Sequence, residues 1–440
     1  MRGRAAVRIL PGFMATIKPF AALRPSPRLA PQICELPYDV LSLDEARGLA
    51  AGNPLSFLHV SRPETDLPPG TDLHAPEVYA RGLENFQKLI SQGALKQDSQ
   101  PCFYLYRQIA GGHSQTGLVA AASCEEYLRG VIKKHELTRP DKEDDRVRHI
   151  EALNAQTGPV FLAHRGGEAL DKLVAKKVSG QPDVDFTAAD GVRHTSWTIS
   201  AADEIKFVER TFAGIPQLYI ADGHHRSAAA TRVYLKRKAE GGKRKAETDG
   251  SGFFLAVIFP QDQMRILPYN RVLKDLNGWT PAQVLEILGE AFAISGDVPP
   301  VPAHRHEFGF YMQGKWRLLI FRGKFLRLDK PDDNLRTDLS QEEANPVESL
   351  DATLLQKNIL APVFGINDPR TSDRIHFVGG IRGAAELERL VDSGEYACAF
   401  LMFPTGMDDL MAVADAGGIM PPKSTWFEPK LRDGMFCHLI

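Results

Sequence analysis

Apolar residues recur at helical spacing over Pro76–Gln92, where Val78, Tyr79, Leu83, Phe86, Leu89 and Ile90 share a face and Gly93 closes the run. The same period predicts helices over Asp44–Ala51, from Pro140 to Asn154 with Val147, Ile150 and Leu153 as the buried stripe, and over Asp203–Phe212, Thr280–Phe292 and Asn345–Leu360. Alternating or continuous apolar runs predict strands at Ser56–Val60, Phe103–Tyr106, Gly117–Ala122, Val160–Ala163, Leu218–Ile220, Phe253–Pro260, Arg374–Val378 and Ala397–Phe403. Gly111 and Gly112 read as a hairpin turn, and GFYMQ, KWRLLIF and KFLRL between His306 and Leu328 read as a meander of strands. Recurrent prolines from Ile17 to Pro31 predict extended backbone. Lys236–Gly252, basic and glycine-containing, reads as a solvated loop.

Strands and helices interleave without a strict βαβ rhythm, so the pattern predicts an α+β chain of mixed sheets with packed helices. The apolar strand Phe253–Pro260 gives way to MRILPYNRV, which sets the expected boundaries: a disordered extension over 1–13, an amino-terminal unit over 14–261 and a second α+β unit over 262–440.

The densest chemistry is QLYIADGHHRSAAA, from Gln217 to Ala230. An apolar strand meets a helix there, with Asp222 as the expected N-cap and Gly223 as the point where backbone can approach a ligand closely. Free amides at the helix start attract an anion, and Arg226 adds a two-pronged donor suited to phosphate or carboxylate. His224 and His225 point about 100° apart on a helix, so one is expected to face a ligand and the other a structural partner. The plainer alternative is a capped helix whose histidines satisfy backbone carbonyls.

A second centre runs from Val131 to Asn154. Pro140 suits the first helical position, and Asp141, Glu143, Asp144 and Asp145 fill the opening turns. Acids there complement the helix dipole and form a solvated charged face with Arg146 and Arg148. The functional reading places Asp141, Asp144 and Asp145 on one side by their i, i+3, i+4 spacing as a Mg²⁺ site, with Arg139, Lys142 and Arg146 turned toward phosphate. Near the carboxyl end, Lys423 and Ser424 sit in a proline-bounded loop that could close over an anion or remain plain surface.

IADGHHR, with ELPYDVLS from Glu35, NPLSFLHVSRPE from Asn53, HELTRPDKEDDR from His135 and MPPKSTWFEPK from Met420, resembles the family catalogued as domain of unknown function 1015, over nearly the whole chain from Met14. The DGHHR segment is also similar to the phosphate-binding motif of the ParB/sulfiredoxin superfamily, which includes nucleotide-hydrolysing partition proteins, sulfiredoxin and a free-serine kinase. That resemblance implies a phosphoryl-transfer enzyme using a nucleotide (ATP or ADP) with Mg²⁺ on a small metabolite, with serine as the first acceptor to consider. Asp222 to Arg226 would cradle phosphate, and His135, Glu136, Glu143, Asp222 and His224 are the candidate catalytic residues. A phosphatase of a phosphorylated metabolite and a nucleotide-gated binding protein are the alternatives.

Composition narrows these readings. A net charge of −2 provides no global field for nucleic acid, and the basic stretch after Lys236 lacks interleaved aromatics, so a small phosphate-bearing ligand is the expected partner. Five scattered cysteines without CxxC spacing, and no apolar run approaching the ~20 residues of a membrane span, suit a reduced cytoplasmic protein. The sequence contains no GxxxxGK[ST], GxGxxG after a strand, GxSxG or HExxH, which disfavours Walker-type ATPases, Rossmann dehydrogenases, serine esterases and zincins. Oligomeric state is not encoded in any of these patterns.

Overall fold

The computed structural model describes residues 14–248, 250–296, 301–323 and 345–440, the side chains of 242–248 excepted. The expected disorder over 1–13 and the expected strand KFLRL lie outside the described residues. The chain is α+β and divides into two units, Met1–Met264 with Pro429–Ile440, and Arg265–Glu428. The last segment belongs with the first unit, whereas the sequence reading assigns it to the second.

A mixed nine-stranded sheet forms the first unit. Its order is Ile132–Lys133, Leu218–Asp222, Val160–His164, Phe253–Pro260, His113–Ser123, Phe103–Ala110, Arg193–Ile199 and Val184–Thr187, with Ile17–Lys18 paired to His113–Ser123 off this path. The strand Phe253–Pro260 is central, parallel to Val160–His164 and antiparallel to His113–Ser123, which explains why it is apolar on both faces. Gly117 permits this pairing: a Cβ there would lie 2.6 Å from Val257 Cγ1 and 2.8 Å from the Phe259 ring. Leu162, Ile220, Ile258 and Phe254 form the core with Ala228, Ala229, Val233 and Tyr234 of the following helix.

That helix runs His224–Thr248, so the expected loop after Lys236 is helical as far as Thr248. Lysine, arginine, alanine and glutamate are good helix formers, and neighbouring elements fix the helix. Lys236 pairs with Glu151 at 2.7 Å, Lys238 with Glu125 at 2.9 Å, and Arg237 donates to Asn154 at 2.5 Å. The helix packs against Pro140–Leu153, where Arg232 bridges Glu143 at 3.3 Å and Asp144 at 2.6 Å.

The expected strand Ser56–Val60 is instead a turn leading into the short helix Leu58–Ser61. Asn53 Oδ1 accepts from Leu55 N at 3.2 Å and Ser56 Oγ from Leu58 N at 3.3 Å, so polar side chains take backbone donors that a strand would need. Over Asn345–Leu360 the chain turns first and becomes helical only from Asp351.

The second unit has a six-stranded antiparallel sheet, ordered Phe292–Gly296, Lys315–Phe321, Glu307–Met312, Cys398–Met402, Tyr269–Leu273 and Ile375–Gly379. Its helix Pro281–Ala291 opens with a Thr280–Gln283 capping box. Among the described residues, no helix is long and apolar enough to cross a membrane.

Candidate functional site

Two parallel strands, Ile132–Lys133 and Leu218–Asp222, end side by side and deliver the two chemical stretches to one edge of the sheet. The register against Val160–His164 shifts between Ile220 and Asp222, a bulge that re-aims Asp222 just before the turn. Gly223 follows with φ +94°, and a Cβ there would stand 3.2 Å from the Arg226 guanidinium and 3.3 Å from Val160 Cα. Only glycine suits both the angle and the space.

Ser227 N donates to Gly223 O at 3.0 Å, so Gly223 occupies the cap position expected for Asp222. The Asp222 carboxylate is drawn off by Lys430 Nζ at 2.9 Å and Arg226 Nη2 at 3.5 Å. Burial alone would raise its pKa, but Lys430 and Arg226 reverse this and hold it well below the usual carboxylate range.

Arg226 is buried, and its fork turns inward. Nη1 donates to Pro159 O, while Nη2 lies 3.6 Å from Asp39 Oδ2 as well as near Asp222. Burial opposes its charge, yet Asp39 and Asp222 outweigh this and raise its pKa further. Its Nε is buried without a hydrogen-bond partner. Arg146 is held the same way, bonded to Asp145 at 2.9 and 2.5 Å with its guanidinium 3.9 Å over the Tyr38 ring.

Arg146 and Arg226 line one tight cleft of about 30 Å³, together with Tyr38, Gln156, Thr157 and Asp433. Asp433 is only 1% exposed, and burial pushes its carboxyl up to about 7 against the pull of Arg226 and Arg146. One of its oxygens has no hydrogen-bond partner.

His225 and His224 diverge as neighbouring helical residues should. His225 Nε2 accepts the Arg139 amide at 3.1 Å, which ties the Pro140 helix directly to the DGHHR turn. His224 instead stacks edge-on against His135, with centroids 4.5 Å apart, and its Nδ1 lies 3.8 Å from Glu136 Oε2. Burial keeps both rings neutral: it lowers His135 to about 4 and His224 well below its ordinary value.

The other expected site residues separate. Asp141 pairs with exposed Arg139 at 2.9 Å, Asp144 with Arg232 at 2.6 Å, and Asp145 with Arg146 and the Tyr79 hydroxyl. The three aspartates, expected from their spacing to share one Mg²⁺ site, each pair with a different partner, and among the described residues their carboxylates do not gather into one ligand group. Glu143 is likewise engaged, accepting from Thr138 Oγ1 and Arg232. Lys142 is exposed on the first turns of its helix. Lys423 and Ser424 lie in the second unit, where Lys423 Nζ sits 5.4 Å from the Tyr269 ring centre and Ser424 Oγ donates to Pro421 O at 2.7 Å.

Sequence reasoning gave no site role to Tyr38, Asp39, Lys430 or Asp433. The first three lie within the quoted ELPYDVLS and MPPKSTWFEPK motifs, but Asp433 has no local signature.

No curated protein matches the sequence. Among solved structures, the chain is similar to a free serine kinase in complex with AMP, at 12% identity and a TM-score of 0.32 over 71% of this chain and 86% of that one. It is also similar to a conserved hypothetical protein from Pyrococcus furiosus, at 13% identity and 0.33 over 73% and 95% of the two chains. SbnI with a C-terminal truncation, from Staphylococcus aureus, matches at 9% identity and 0.36 over 72% and 85%. A family model described as "Protein of unknown function (DUF1015)" matches residues 17–353, and the chain belongs to that family.

Proposed function

We propose that this protein binds a phosphate-bearing small molecule in the cleft between Arg146 and Arg226 and catalyses phosphoryl transfer, with a nucleotide as donor and a small hydroxyl-bearing metabolite as acceptor. The observation that carries this reading is that two guanidinium groups, one from each chemical stretch, Arg226 buried and Arg146 nearly so, line the same cleft. Neither can lose its charge near neutral pH, and the buried Arg226 Nε still lacks an acceptor that a phosphate oxygen would supply. Phosphoryl transfer depends on positioning and charge stabilisation, and fixed guanidinium groups provide both. Glu143 drops out as general base because Thr138 and Arg232 occupy its oxygens. The aspartates of the Pro140 helix hold no metal in this scheme.

The test is a thermal-shift screen of ATP, ADP, AMP and phosphorylated amino acids, followed by phosphorus NMR of the protein with ATP and candidate acceptors, free serine first. A ligand at 100 times its Kd should add about 2.7 kcal/mol of stability. A phosphorylated product identifies a kinase, while release of inorganic phosphate from a phosphometabolite identifies a phosphatase. Stabilisation by none of these compounds would remove the proposal.

A further inference from the structure

The geometry points to a divalent transition-metal site made by His135, Glu136 and His224, with a coordination position left open to solvent. One ligand atom from each residue lies within 4.8 Å of the others, and among the described residues this is the group so arranged. A tetrahedral site with bonds near 2.1 Å has edges of roughly 3.4 Å, so modest closure of the Glu136 side chain would complete the set.

The fold builds this arrangement from its sheet. His135 follows Ile132–Lys133, His224 follows Leu218–Asp222, and these strands are parallel neighbours, so both histidines leave the sheet at the same carboxyl end. Ligands gather at such strand ends in sheets with parallel strands.

An independent observation asks for an occupant. His135 is 2% and His224 5% exposed, yet His135 Nδ1 and His224 Nε2 have no hydrogen-bond partner. Buried polar atoms are ordinarily satisfied, and two orphaned imidazole nitrogens on rings 4.5 Å apart require an explanation. A metal ion held by His135 Nδ1 would satisfy that atom, while on His224 the nitrogen nearest Glu136 is Nδ1. His135 is also held by a hydrogen bond to the Ile220 backbone, the kind of outer contact that fixes a ligating imidazole.

The donor set selects the ion. Two imidazoles and one carboxylate match Zn²⁺ sites that keep a fourth position for water or substrate, whereas Mg²⁺ and Ca²⁺ prefer oxygen ligands throughout. The Glu136 side chain is 44% exposed, so the site opens to solvent on its side. A divalent ion with one carboxylate retains net positive charge and would favour an anionic ligand at the open position. This assignment rests on three side chains and stands apart from the phosphoryl-transfer reading.

The test uses the full chain, stripped with a chelator and titrated with Zn²⁺ by calorimetry, and with Co²⁺ followed by its visible absorption. One tight site per chain is expected. Glu136→Gln, at a half-exposed position, should keep the fold and weaken binding at least about tenfold, since even outer contacts are worth 10–100-fold in metal sites. His224→Gln should abolish the Co²⁺ bands, and His304→Gln, exposed in the second unit, should change nothing. Should His224→Gln fail to fold, Glu136→Gln alone decides. Absence of a tight site, or equal affinity for the wild type and Glu136→Gln, overturns the assignment. Metal binding without nucleotide binding would uphold it and remove the proposed function, and nucleotide binding without metal would do the reverse.

Discussion

Arg226→Lys keeps the charge and removes the fork. In the wild type, one guanidinium reaches Pro159 O through Nη1 and faces Asp222 and Asp39 through Nη2, all in a buried setting. A single ammonium cannot occupy all three directions. It retains part of the Coulomb attraction, so the loss is smaller than the ~3–5 kcal/mol that follows removal of one partner from a buried pair. What disappears is at least one charge-assisted hydrogen bond, worth ~1.5–3 kcal/mol, and the Pro159 carbonyl risks being left bare. The expected cost is therefore about 2–3 kcal/mol, or roughly 4–12 °C in Tm for a unit of this size. Urea denaturation gives the free energy. Hydrogen exchange localises it, with amides of Pro140–Leu153 and His224–Thr248 opening more readily than those of the second unit. A loss below about 0.5 kcal/mol would show that the fork clamps nothing, and the inward-turned reading of Arg226 would be wrong.

Gly223→Ala combines a left-handed φ with contacts of 3.2 and 3.3 Å to Arg226 and Val160 Cα, so it should cost ~2–4 kcal/mol by denaturant melt, where an ordinary exposed glycine would lose little. Acid should destabilise the first unit: burial holds His135, His149, His164 and His438 at about 4 and His194 at about 2. Their unfolded value is near 6.5, so the unfolded chain binds more protons below that pH. The stability these groups contribute is present above pH ~6.5 and drains as pH falls toward 4, and urea midpoints from pH 7 to 4.5 should drop steeply. Asp433 has the opposite sign. Raised to about 7 by burial, it contributes stability below its unfolded value that is lost as pH rises through 7. Asp433→Asn should thus gain on the wild type by a few kcal/mol between pH 5 and 8, and a constant difference across that range would show that the carboxyl does not titrate there.

Periodicity revealed the helices Pro76–Ser91 and Pro140–Leu153 and the central strand Phe253–Pro260 because in each one face, or both, is buried at a regular interval. It failed at Ser56–Val60, where five residues are too few to distinguish a strand from a turn and Asn53 and Ser56 divert the backbone donors. It also failed after Lys236, where a charged, glycine-containing stretch resembles a loop unless Glu151 and Glu125 are known to face it. The DGHHR turn was legible because its acid, glycine, histidines and arginine are contiguous. The spacing of Asp141, Asp144 and Asp145 suggested a metal site, yet each aspartate is claimed by a cation or hydroxyl that spacing cannot show. Lys430 and Asp433 reach the turn from some 200 residues away, and only the tertiary fold reveals them.

The central claim is that Arg146 and Arg226 hold a phosphate-bearing ligand in one cleft, and calorimetric titration of the wild type and Arg146→Lys with ADP and with phosphoserine tests it most directly. The account predicts one saturable site per chain for at least one of these compounds. It also predicts a fall in affinity of about tenfold or more in the variant, the equivalent of ~1.4 kcal/mol or more of lost binding, while circular dichroism shows the fold retained. Equal affinities in the two proteins, or no binding of either compound to the wild type, would contradict it.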